Sequence, residues 1–125
     1  MTTGSEIQIV TAGAGPSYRI NCFTVPAAAG AEFDAAMRRT IQFLATLPGH
    51  VHYQVFEKAG GPSAFNVITL ATWASRKTHE RAAAQVRAHY AAIGFDPAAL
   101  MARLGITGQL GDFAAPVALQ IGEVS

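Results

Sequence analysis

A chain of 125 residues fits one domain and can bury a core without disulfides or metal staples. Its net charge of +1 provides no electrostatic footprint for nucleic acid or an anionic membrane. Only 14% of residues are charged and 50% are hydrophobic, so one small domain has apolar surface to spare for an interface or a ligand cavity.

Residues 1–17 read as an N-terminal extension in which Ile7 to Val10 could add a short strand. Tyr18 to Val25 is rich in β-branched and aromatic residues and reads as a strand. Alternation puts Asn21, Phe23 and Val25 on one face and Ile20, Cys22 and Thr24 on the other. Pro26 to Gly30 breaks it. A helix is expected from about Ala31 to Leu47, because Phe33, Met37, Ile41 and Leu44 recur at helical spacing before Pro48-Gly49. His50 to Glu57 is the second strand, with Val51, Tyr53 and Val55 on one face and His50 and His52 together on the other. Ala59 to Ser63 is a hairpin connection, and Phe65 to Trp73 the third strand, in which Thr69, Ala71 and Trp73 share a face.

Ser75 is a suitable N-cap for a helix over Arg76 to Ile93, with Ala82, Ala83, Val86, Tyr90 and Ile93 inward and Gly94 at its end. Asp96-Pro97 starts a short helix to Leu104. Ile106 to Phe113 reads as a glycine-rich loop. Ala115 to Val124 is the expected last strand, with Val117, Leu119 and Ile121 alternating.

The order is β-α-β-β-α-β with a helical insertion at about 94–116. That predicts a single ferredoxin-like α+β domain over 18–125, built on one antiparallel sheet. Helices on one side leave the other face bare, and with so little charge that face is expected to pack against a second copy, giving a homodimer. The lone Cys22 excludes an internal disulfide and a Cys-rich zinc site. No apolar run reaches the roughly 18 residues of a membrane span, and Met1 to Glu6 lacks a signal-peptide pattern. The expectation is a soluble cytoplasmic protein without nucleic-acid or membrane partners.

Three segments in order resemble the antibiotic biosynthesis monooxygenase family: Asn21-Cys22-Phe23-Thr24-Val25-Pro26, Leu47-Pro48-Gly49-His50, and Thr72-Trp73-Ala74-Ser75. The resemblance spans about Tyr18 to Ile93 and implies a dimeric α+β barrel. Some members oxidise anthrones or related phenols to quinones with oxygen alone, using a strand-three Trp, an Asn four residues before it and a Tyr six after it. Trp73 stands at the first position, Thr69 at the second and His79 at the third. Other members bind or degrade haem through a first-strand Asn and a second-helix His, at places roughly comparable to Asn21 and His89.

The resemblance therefore implies a monooxygenase taking molecular oxygen and a small hydrophobic aromatic substrate with no cofactor. Trp73, His79 and His89 are the candidate catalytic residues, and Asn21, Thr69, Phe23 and Tyr90 the candidate substrate contacts. Haem is the alternative cofactor, and a non-catalytic dimeric module binding a small ligand is a further alternative. Each residue also has a purely structural account. Trp73 could anchor the second helix, His79 could be a partly exposed surface histidine, and His89 a satisfied rim histidine. Asn21 in mid-strand needs a partner, either a ligand or a neighbouring backbone. No carboxylate or cysteine joins His50 and His52 at metal-binding spacing.

Overall fold

The computed structural model describes residues 15–119; the strand considered at Ile7 to Val10 lies outside them. Four strands form one sheet: β1 (Ser17–Thr24), β2 (His50–Glu57), β3 (Val67–Trp73) and β4 (Thr107–Phe113). Their order is β2-β3-β1-β4, every neighbouring pair antiparallel. The helices are α1 (Gly30–Leu44), α2 (Arg76–Ile93) and α3 (Pro97–Leu104), with short 3-10 turns at Ala27–Ala29 and Val117–Leu119. This is the ferredoxin-like α+β arrangement.

The helix boundaries follow their chemistry. Ser75 Oγ accepts from the Thr78 backbone N–H at 3.1 Å, and Thr78 Oγ1 accepts from the Ser75 N–H at 3.1 Å, a reciprocal cap on α2. Gly49 turns the chain with φ 85° and leaves no room for a Cβ against Thr78. The Pro48-Gly49 turn thus docks on the first turn of α2. α2 ends at Gly94 and α3 at Gly105, both left-handed, and Asp96 caps α3 through the Ala99 N–H at 3.1 Å.

Two expectations are corrected. Among the described residues the last strand is Thr107–Phe113, and no strand begins at Ala115; both hydrogen-bonding edges of β1 are already taken, by β3 and β4. The described part of the later segment forms only the turn Val117–Leu119, and its end lies outside the described residues. The glycines that make β4 look like a loop are a packing requirement. Gly108 faces Phe23, whose Cδ1 would lie 2.8 Å from an added Cβ. His50 and His52 do not share a face. The β2–β3 register jumps from His50↔Trp73 to His52↔Thr72, so Val51 is an extra, bulged residue that flips what precedes it.

The buried side chains form two clusters rather than one. Phe23, Val25, Ala29, Phe33 and Ile106 pack with Met37, Met101 and Leu104 at one end of the sheet. Leu44, Ala71, Trp73 and Ala82 pack with Leu47, Tyr53 and Val86 towards the other. Helix-facing side chains of both clusters wall the same space.

Candidate active site

That space is a cavity of about 720 Å³ between the sheet and the helices, with a predominantly apolar lining, within the size range of small-molecule sites. Antiparallel register brings its polar groups together. Asn21 lies opposite Thr69, and Arg19 opposite Ala71 on one side and Asp112 on the other. Asn21, Phe23, Thr69, Trp73, His79 and Tyr90 all line this cavity. Asn21 Oδ1 is buried and has no hydrogen-bond partner within the protein, so its donor must come from water or a ligand.

Trp73 is 2% exposed, between two histidine rings. His50 meets it edge-on at 5.3 Å and His79 lies nearly parallel at 5.9 Å. His79, in the first turn of α2, is buried rather than a surface histidine. Its Nδ1 is 2.7 Å from Ser17 Oγ, itself buried. Its Nε2 is 3.4 Å from Asp112 Oδ1, but no hydrogen bond forms there. Burial holds the His79 pKa below the ordinary histidine value; Asp112 works against this, and Arg76 and Arg19 reinforce it. The imidazole is therefore neutral near pH 7. For Asp112, burial alone would raise the carboxyl, but hydrogen bonds from Arg76 (3.0 Å) and Arg19 (3.1 Å) outweigh it and hold the group below its usual range.

A second polar cluster completes the wall. Thr69, 2% exposed, favours the ionised form of the neighbouring Tyr53 phenol, but burial outweighs it and raises the phenol above its ordinary pKa. Tyr90 is set by a 3.3 Å contact between its hydroxyl and Thr40 Oγ1 and by an edge-on contact with Phe95 at 5.1 Å. α3 supplies Pro97, Leu100 and Met101 to the lining, and Arg103 pairs with Glu32 to tie α3 to α1.

His89 does not join this group. Its ring stacks flat on Phe43, centroids 3.8 Å apart, in a small neighbouring groove with Arg39 and Ile93. Its place on α2, about 80° round from His79, turns it off the cavity stripe. Among the described residues no group of three or more His, Cys, Asp or Glu is arranged to hold a metal ion, and no helix is long and apolar enough to cross a membrane.

No family model and no curated protein matches the sequence. Solved structures do. SnoaB, a cofactor-independent oxygenase from Streptomyces nogalater, is 30% identical over 82% of this chain and 94% of its own, with a TM-score of 0.60. The chain belongs to the antibiotic biosynthesis monooxygenase family. The haem-degrader MhuD from Mycobacterium tuberculosis, with two haems in its active site, shares the fold at 21% identity, covering 85% of this chain and 99% of its own at a TM-score of 0.60. So does a dimeric ferredoxin-like protein from an uncultured marine organism, 10% identical over 80% of this chain and 92% of its own, with a TM-score of 0.55.

The two candidate haem contacts stand apart: Asn21 lines the cavity and His89 the small groove beside it. Three residues of the cavity wall, Arg19, Tyr53 and Asp112, and Ser17, bonded to His79, were not among the candidates from the sequence. Ser17 and Arg19 continue the same-face alternation of Asn21 and Phe23, and Tyr53 shares the face of Val55 in β2, which the sequence did not mark as inward. Asp112 had no signal, because its strand reads as a loop.

Proposed function

We propose that this protein is a cofactor-independent monooxygenase that oxidises a polycyclic phenolic or anthrone-like molecule to a quinone, working as a homodimer. The observation that carries the proposal is the convergence of Asn21, Thr69, Trp73 and His79 on one largely apolar cavity. Such chemistry needs an electron-rich substrate, a base, a donor for the developing oxyanion and little water. Neutral His79 takes a proton from the bound substrate. The delocalised anion passes one electron to O2, and the radical pair combines to a peroxide at the ring carbon. Loss of water leaves the quinone, so an anthrone and O2 give an anthraquinone and H2O. Trp73 orients the ring system, Asn21 and Thr69 contact its oxygen substituents, and Phe23 and Tyr90 flank it.

Support for the homodimer comes from the sheet face turned away from the helices. Tyr18, Ile20, Cys22, Ile68 and Leu70 lie on it by register, with Phe56 (47% exposed) and Phe113 (52% exposed) at its borders. An apolar face of this kind is stabilised by a matching copy.

Oxygen uptake with an anthrone in the presence of a chelator tests the chemistry. Uptake well above autoxidation, and lowered in Trp73→Phe and His79→Ala, is the expected result. Uptake equal to the buffer blank refutes it, as does a haemin titration giving a Soret shift that disappears in His79→Ala.

A further inference from the structure

We infer that Asp112 and Ser17 are positioning residues for His79, holding its ring with Nε2 turned to the cavity and stabilising the imidazolium that forms there. The inference rests on the reading of His79 as the base. Three separate elements build the arrangement: Ser17 on β1, His79 on α2 and Asp112 on β4. The Ser17 hydroxyl lies 2.7 Å from Nδ1 and Asp112 Oδ1 lies 3.4 Å from Nε2. Asp112 cannot swing away freely, because Arg19 Nη1 donates to Oδ1 at 3.1 Å and Arg76 Nη1 to Oδ2 at 3.0 Å.

A Ser-His-Asp set invites comparison with a nucleophilic triad. Ser17 is 2% exposed and is not part of the cavity wall, so its oxygen cannot reach a substrate carbonyl. Its use is to the ring. The 2.7 Å contact fits either direction; the proposed one has Nδ1–H donating to Ser17 Oγ, which leaves the lone pair on Nε2, 3.4 Å from Asp112 Oδ1. A substrate proton moving to Nε2 leaves the Nδ1–H bond intact and creates a cation beside a fixed carboxylate. The charged groups facing the ring are Asp112 from β4, Arg19 from β1, and Arg76 and Glu80 from α2; β2 contributes His50, across the Trp73 ring. Asp112 and Glu80 favour the imidazolium and the two arginines oppose it. Asp112 keeps a buried histidine basic enough to accept a proton.

The test is a nitrogen-15 NMR titration of the His79 side chain in the full chain, with no substrate present. In wild type the neutral ring is expected to be mainly the Nδ1–H tautomer. In Asp112→Asn the midpoint is expected to fall by about one pH unit, with Asp112→Glu restoring it, and in Ser17→Ala the Nδ1–H population is expected to fall. The acid limb of kcat/KM for anthrone oxidation should move with the NMR midpoint. A wild-type ring that is mainly the Nε2–H tautomer overturns the inference and needs no variant to fold; so does an unchanged or raised midpoint in Asp112→Asn. Expected titrations without any oxygenase activity leave the positioning role standing and refute the proposed function instead.

Discussion

Trp73 and His79 lie with their rings 17° from parallel and 5.9 Å apart, which couples the end of β3 to the first turn of α2. The link is short in sequence and rigid in structure, since the Ser75–Thr78 cap fixes the turn between them. Trp73→Phe keeps a ring against His79 but removes the indole N–H. Loss of one oriented donor is expected to lower kcat about 10²-fold, at a stability cost of roughly 1–2 kcal/mol. Stopped-flow oxidation and thermal unfolding of the same preparation check both. A kcat within threefold of wild type, on the order of 0.7 kcal/mol in barrier, would reduce Trp73 to an anchor for α2.

Stability should depend on pH through two windows. Burial lowers the pKa of both His79 and His50. A histidine with a depressed folded pKa binds its proton more readily when unfolded, so its contribution is present above the unfolded value near 6.5 and is lost as pH falls through the folded value. Asp112 is depressed as well; its contribution is present above about pH 4 and is lost at lower pH. The melting temperature is expected to fall as pH drops below about 6.5, then again below about pH 4. His79→Gln should reduce the first fall, leaving the share of His50, and should move the second only slightly, since the His79 charge is a lesser cause of the Asp112 shift. A melting temperature that is level from pH 7 to pH 5 in wild type contradicts this assignment.

Much of this site was open to a reader of the sequence, for reasons that can be named. Ser75, Gly94, Asp96-Pro97 and Gly105 are local signals, so the bounds of α2 and α3 follow from capping chemistry alone. Asn21, Phe23, Thr69 and Trp73 follow from period-two alternation. The failures arise where tertiary packing overrides local propensity. Gly108 and Gly111 look like loop residues, yet Gly108 sits in β4 because the Phe23 ring occupies the place of its side chain. With β4 taken for a loop, Asp112 could not be set beside Arg19. His50 was misplaced because a single bulged residue, Val51, reverses the alternation before it. His89 shares α2 with His79, and only the Phe43 ring shows that it faces elsewhere.

Gly108 offers a direct test of that packing. A methyl group there would meet Phe23 Cδ1 at 2.8 Å and the Cys22 carbonyl oxygen at 3.2 Å. Gly108→Ala is expected to destabilise by roughly 1–3 kcal/mol and to push the Phe23 ring into the cavity, raising KM more than it lowers kcat. Urea unfolding and steady-state kinetics read the two effects. A variant with unchanged unfolding midpoint would show that β4 does not approach β1 this closely.

Thr69→Val separates shape from hydrogen bonding on the cavity wall. The replacement is close in volume but leaves the half-buried Tyr53 hydroxyl without its partner. The expected cost is about 1–3 kcal/mol, because the phenol loses a polar neighbour without gaining water. Thr69 also lies opposite Asn21, so weaker substrate binding is expected together with the stability loss, whereas Tyr53→Phe combined with Thr69→Val should recover most of the stability and none of the binding. Recovery of both in the double variant would mean that Thr69 serves Tyr53 alone and does not contact the substrate.

The bare sheet face provides the last prediction. Leu70 pairs with Ile20 across β1 and β3 and with Gln54 across β2 and β3, which puts it in the middle of the face away from the helices. Leu70→Arg introduces a charge there without touching the cavity. If a second copy covers this face, the buried guanidinium has no partner and its mirror image opposes it, a penalty of several kcal/mol. Sedimentation should then show a wild-type dimer and a Leu70→Arg monomer. In a free monomer the same arginine reaches water and costs little, so an unchanged sedimentation coefficient at unchanged stability would place the dimer contact elsewhere. A wild-type monomer would remove the homodimer altogether, and the apolar face would need another cover.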